Sequence, residues 1–80
     1  MKTLRVLYFA MLREQRGLSA ETLATAAATA AELYAELRAR HHFTLPAESL
    51  RAALNEEFAP WTAELRDGDV VAFIPPVSGG

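Results

Sequence analysis

Hydrophobic and polar positions divide this chain into short blocks separated by turn signals. Leu4 to Phe9 (Leu-Arg-Val-Leu-Tyr-Phe) is mostly apolar and rich in strand-forming residues, which predicts a first strand. Ala10 to Arg16 carries the helix formers Met11, Leu12 and Glu14, and Gly17 stops it. Leu18 to Thr25 alternates weakly and reads as a second strand. Thr29-Ala30-Ala31-Glu32 is a capping box, in which the Thr29 hydroxyl takes a free backbone N–H and Glu32 reaches back. The helix it starts runs to about Arg40, with Ala30, Leu33 and Leu37 on one face and Tyr34 beside them. Glu36 and Arg40 are a favourable i,i+4 pair on the outside.

His41 to Glu48 reads as loop, with Pro46 as punctuation. Leu50 to Leu54 is a third strand, and Asn55-Glu56 a tight turn into a short fourth strand at Glu57 to Ala59, ended by Pro60. Asp67-Gly68-Asp69 is a turn that launches Val70 to Ile74. That last strand is apolar on both alternating faces, which predicts a central strand covered on both sides. The economical model is an α+β domain. Its first and last strands lie side by side and parallel in the middle of a mixed sheet, and the capped helix crosses one face.

The chain has 80 residues, 51% hydrophobic and 22% charged, enough for one compact core. A formal net charge of -2 argues against nucleic acid as a partner, because phosphate contacts need clustered Lys and Arg. Without cysteine there is no disulfide and no thiolate metal site, and a cytoplasmic home is the simple reading. The start, Met1 to Arg5, is too short and charged for a signal peptide. The alanine-rich run from Ala24 to Ala31 is far below membrane-spanning length, so no membrane partner is expected.

The end of the chain is unusual. From Val70 to Gly80 no side chain is charged. The expected division is a body over residues 1–74 and an extended tail over 75–80. Pro75-Pro76 ends the strand ladder and stiffens the exit. Val77 and Ser78 follow, and Gly79-Gly80 has no side chains, so its backbone fits a narrow slot. Six residues reach at most about 20 Å, at ~3.3 Å each. A bare Gly-Gly ending is equally consistent with a frayed terminus. The strand, the stiff Pro-Pro and the small residues together point to a working tail.

Several segments carry a resemblance. They are Val6-Leu7-Tyr8-Phe9-Ala10 with Arg13-Glu14 and Gly17, then Ala53-Leu54-Asn55, then Leu65 to Gly80. In these the chain resembles the sulfur-carrying small subunits of molybdopterin synthase, a ubiquitin-like family. The last third is the specific part, and Leu18 to Ser49 matches only in pattern. The resemblance implies a β-grasp fold with a reactive carboxyl on Gly80 and with Gly79 needed before it. It implies no permanently bound cofactor. An adenylating partner related to ubiquitin-activating enzymes uses ATP to form a transient Gly80 acyl adenylate, and a sulfur donor then replaces AMP to leave a thiocarboxylate. The tail, through Pro75, Pro76, Val77 and Ser78, would enter the large synthase subunit, and the sulfur would pass to a pterin precursor of the molybdenum cofactor. Catalytic acids and bases would then belong to the partners.

Other residues have plainer readings. His41-His42 lacks a third ligand and reads as a solvated helix end rather than a metal site. Trp61 is either an interface anchor or a cover for the core edge. Glu56-Glu57 reads as a solvated turn. Arg13-Glu14 fits both the family and an ordinary capped surface helix. If Val6, Tyr8 and Phe73 face the helix, Phe9 and Ile74 lie on the opposite face, as a docking patch or as a second core. Competing functions are a related carrier for thiazole or tRNA sulfur chemistry, a protein modifier joined through Gly80, and a binding module with an inert tail.

Overall fold

Alternating apolar residues after Lys2 dictate a strand with one buried face. The computed structural model describes residues 1–76. In it β1 (Lys2–Tyr8) buries Leu4, Val6 and Tyr8. There follow α1 (Ala10–Arg16), β2 (Ala20–Thr25), α2 (Ala30–His41), β3 (Arg51–Leu54), β4 (Glu57–Ala59) and β5 (Val70–Ile74). The sheet order is β2-β1-β5-β3-β4. β1 and β5 run parallel, with Val6 beside Val71 and Tyr8 beside Phe73, and the other pairs are antiparallel. The two apolar strands therefore meet in the middle of a mixed sheet, as expected, and α2 packs on one face through Leu33, Tyr34 and Leu37.

Local chemistry explains the boundaries. Gly17 takes φ 82° and gives its N–H to the Arg13 carbonyl at 2.8 Å, which closes α1. β2 begins at Ala20, later than expected, because Leu18 and Ser19 carry the chain out of that left-handed turn. α1 has no side-chain cap at Phe9, so the capped-helix reading of Arg13-Glu14 does not hold in that form. Before α2, Thr29 Oγ1 accepts the Glu32 N–H at 3.3 Å. The return bond goes one residue further back than expected, from the Ala28 N–H to Glu32 Oε1 at 3.2 Å. The remaining first-turn donors, on Ala30 and Ala31, go to the carbonyls of Ala63 and Trp61. The loop before β5 thus completes the cap of α2.

The core is aromatic at its centre. Tyr34 lies among Phe43, Trp61 and Phe73, with ring centroids 5.1–6.1 Å away. Trp61 is half-buried, stacked on Phe73 at the core edge, as the second of its two readings expects. His41 is not solvated as expected. It is the last residue of α2, half-buried against Phe43, while His42 beyond it is exposed at φ 58°. Burial holds the His41 pKa below its ordinary value, and the Arg16 charge acts in the same direction. The segment expected as loop also contains a short 3₁₀ turn, Ala47–Ser49.

One expectation about β5 is corrected. Val71 and Phe73 fill the main core, whereas buried Ala72 and half-buried Ile74 on the opposite face lie outside that cluster and line a depression. Ala72 pairs there with Ala53 across β3, and these two small side chains leave a hollow. Apolarity on both faces here means one packed face and one open face.

Candidate functional site

The open face is assembled by strand alternation and two reversals. Tyr8 points into the core, so the next residue, Phe9, points to the other side. The chain turns sharply at Ala10, φ 51°, into α1 and leaves Phe9 44% exposed. Asn55 and Glu56 both have positive φ, 52° and 74°, as a two-residue hairpin of the type I′ kind requires. That turn folds β4 back so that Phe58 lies opposite Ala53 and is 59% exposed. β5 delivers Ile74 to the same area.

The result is a depression of about 230 Å³, floored by Ala53 and Ala72 and walled by Leu7, Phe9, Phe58 and Ile74. Phe9 and Ile74, paired from the sequence, do share one surface. Phe58 was missed. Its signal was an aromatic residue on a three-residue strand after a tight turn, which alternation places opposite the helix.

The depression adjoins the end of β5, where the expected tail begins. Beyond Ile74 the chain passes into Pro75 and Pro76, which border two grooves. Met11 and Leu45 flank one, and Arg51 and Phe58 flank the other. Val77, Ser78, Gly79 and Gly80, the rest of the expected tail, lie outside the described residues.

Ionisable chemistry gathers elsewhere. The Tyr8 hydroxyl donates to Glu21 Oε2 at 2.6 Å, and Arg16 forks onto the same carboxylate at 2.8 and 3.0 Å. Burial, then the bond to Glu21, pushes the Tyr8 pKa up, while the Arg16 hydrogen bond holds Glu21 below the usual carboxylate range. The network ties α1 to β1 and β2, and so fixes the element that follows Phe9. The depression is lined by apolar side chains and Glu56. Among the described residues no three side chains form a metal-holding group, and no helix is long and apolar enough to cross a membrane.

A family model described as the ThiS family matches residues 6–80. The chain belongs to the ThiS family. Within it, this chain is 38% identical to the molybdopterin synthase sulfur carrier subunit of Escherichia coli K12, over 96% of this chain and 99% of that protein. Among solved structures it is similar to a Pyrococcus furiosus protein described as molybdopterin converting factor, subunit 1. That match has a TM-score of 0.79 and 29% identity, and covers 96% of this chain and 100% of that one. Another similar chain comes from a complex of subunits 1 and 2 of the Helicobacter pylori molybdopterin-converting factor. Its TM-score is 0.68 at 26% identity, with 98% and 99% of the two chains covered. The ThiS-family fold here is the ubiquitin-like β-grasp that the resemblance implied.

Proposed function

We propose that this chain is the sulfur carrier subunit of a molybdopterin synthase, working through a thiocarboxylate on Gly80. The observation that carries this reading is a single placement. The central strand β5 delivers a Pro75-Pro76 exit beside an open apolar depression, in a chain similar over nearly its whole length to sulfur carrier subunits. The depression holds the body against a partner, and the tail carries the reacting atom into that partner's site.

The chemistry follows from the carboxylate. A carboxylate is a poor acyl electrophile. Attack of one Gly80 oxygen on the α-phosphorus of ATP releases pyrophosphate and leaves an acyl adenylate. A donor's sulfur, at the sulfide level, then attacks the acyl carbon, and AMP leaves with the oxygen. The thiocarboxylate is an anionic sulfur nucleophile at neutral pH, by the logic that makes thiolates reactive. Its sulfur displaces an oxygen leaving group, which departs with the bonding electrons, from a carbon of the pterin precursor. Water then attacks the acyl carbon and cuts the acyl–sulfur bond, leaving the sulfur on the precursor as a thiolate and regenerating the Gly80 carboxylate. Phe9, Phe58 and Ile74 dock both the activating enzyme and the large subunit, and Pro75-Pro76 stiffens the exit from β5.

Intact mass spectrometry tests the reading. The protein is incubated with its activating enzyme, ATP and a sulfur donor. The expected gain equals the mass difference between sulfur and oxygen, confined to a C-terminal fragment containing Gly80. An unchanged mass, or isopeptide linkage of Gly80 to lysines of other proteins, would overturn it. Replacing Ile74 by Glu is expected to weaken both partners' binding without unfolding the domain, as measured by titration.

A further inference from the structure

A cationic side chain stands at the edge of the apolar surface, in the groove that shares Phe58 and Ile74 with the depression. Arg51 opens β3 on the uncovered face of the sheet, beside Ile74 of β5. Its guanidinium carbon lies 3.9 Å from the centroid of the Phe58 ring. Arg51, Phe58 and Ile74 share one groove with Pro75 and Pro76, so this cation sits at the tail end of the depression. Glu48 borders the same groove but makes no ion pair with Arg51. Among the described residues, the ion pairs join Arg16 to Glu21 and Arg40 to Glu36, and Arg51 takes part in neither.

In the isolated chain, water and the Phe58 ring face satisfy this charge. A partner that covers Phe58 and Ile74 also strips water from Arg51. Arginine cannot shed its proton to escape that cost, and a desolvated, unpaired cation is strongly unfavourable. A carboxylate matches the guanidinium fork with two parallel hydrogen bonds. Apolar contact is non-directional, whereas one charge pair at one end of the depression sets the rotation of one body on the other.

We infer that Arg51 is a recognition residue for a carboxylate, an Asp or Glu of the tail-accepting large subunit, set at the edge of that subunit's apolar contact. The pair fixes the orientation in which the carrier docks, and so the direction in which Pro75-Pro76 leads the tail. The inference rests on the docking role proposed above.

The test is titration calorimetry of the purified carrier against its cognate large subunit, at low and at high salt. R51M is expected to bind on the order of tenfold to a hundredfold more weakly at low salt, with a flattened salt dependence. R51K is expected to keep the salt dependence. I74E serves as the reference for docking itself, and thermal unfolding checks that each variant folds. If R51M matches the parent at both salts while I74E loses binding, the Arg51 inference is overturned and docking by the apolar face stands. If R51K is as weak as R51M and equally salt-insensitive, the arginine only shields Phe58, and the inference again falls. If none of the three substitutions alters affinity, the docking reading is itself wrong.

Discussion

Asn55 holds Val70 from two sides. Its side-chain oxygen accepts the Val70 N–H at 2.9 Å, and its backbone N–H donates to the Val70 carbonyl at 2.8 Å. Its side-chain amide also donates to Asp69 Oδ1 at 3.0 Å. One residue of the β3–β4 turn thus pins the start of β5, the strand that leads to Pro75-Pro76. Asn is suited to the post because it tolerates the left-handed backbone, φ 52°, that the turn demands.

Asn55→Ala is therefore expected to cost about 0.5–1.5 kcal/mol for the lost hydrogen bond to the solvent-accessible Val70 N–H, with the left-handed φ adding to it. Asn55→Asp separates the two effects. It keeps the acceptor for Val70 but sets a carboxylate against Asp69. Its deficit should shrink when the solution is acidified enough to protonate one of the pair. Denaturant midpoints at two pH values decide this, and a deficit independent of pH would count against the Asp69 contact.

Leu37 tests the helix face. It is fully buried in the cluster formed with Val6, Phe73 and Tyr34. Leu37→Ala should lower stability by roughly 2–5 kcal/mol. An unchanged denaturant midpoint would mean that α2 does not pack as described.

Features governed by local chemistry were legible in the sequence. Thr29 and Glu32 announced α2, Gly17 ended α1, and Asn55-Glu56 and Asp67-Gly68-Asp69 marked the turns. Features set by register were not. Tyr8 meets Glu21 only because β1 and β2 pair with Val6 beside Glu21, and nothing in either segment alone announces that partnership. Phe58 shows the same limit, since a two-residue turn decides which face it takes. The second face of β5 misled for a different reason. An apolar strand face that awaits a partner has the same composition as one already packed. Phe9 and Ile74 could be paired from alternation, but whether anything covered them could not.

The Tyr8–Glu21–Arg16 network sets limbs of the pH profile. The folded-state pKa of Glu21 is depressed below its ordinary 4.5, first by the Arg16 hydrogen bond. Its contribution is therefore complete above that value and is lost as pH falls through the folded pKa. The Tyr8 pKa is raised above 10.0, first by burial, so its contribution is complete below that value and is lost as pH rises toward the folded one. Glu21→Gln should flatten the acid limb of unfolding temperature against pH, and Tyr8→Phe the alkaline limb. Acid limbs of equal slope in parent and Glu21→Gln would remove Glu21 from the account.

The tail carries the sharpest prediction. In the proposed mechanism Gly80 supplies the acyl carbon, and Gly79 precedes it because a Cβ there would crowd a narrow slot and restrict the backbone. Deleting Gly80 should abolish ATP-dependent sulfur loading and leave stability unchanged; among the described residues the buried core cluster runs from Leu4 to Phe73. Adding one residue after Gly80 should do the same. The Gly80 acyl group would become an internal amide, with no free carboxylate to attack ATP. Any loading at the added residue's own carboxylate would be displaced by about 3.3 Å from the partner's catalytic groups. A misplacement on the order of 1 Å already costs about a hundredfold in rate. Gly79→Ala should fall between the parent and these variants, because it keeps the carboxylate and only narrows the approach. The measurement is sulfur transfer to the pterin precursor in a reconstituted system, with thermal unfolding run beside it. Transfer at the parent rate by the truncated or extended chain would place the reacting group somewhere other than Gly80, and the Pro75-Pro76 exit would then serve docking alone.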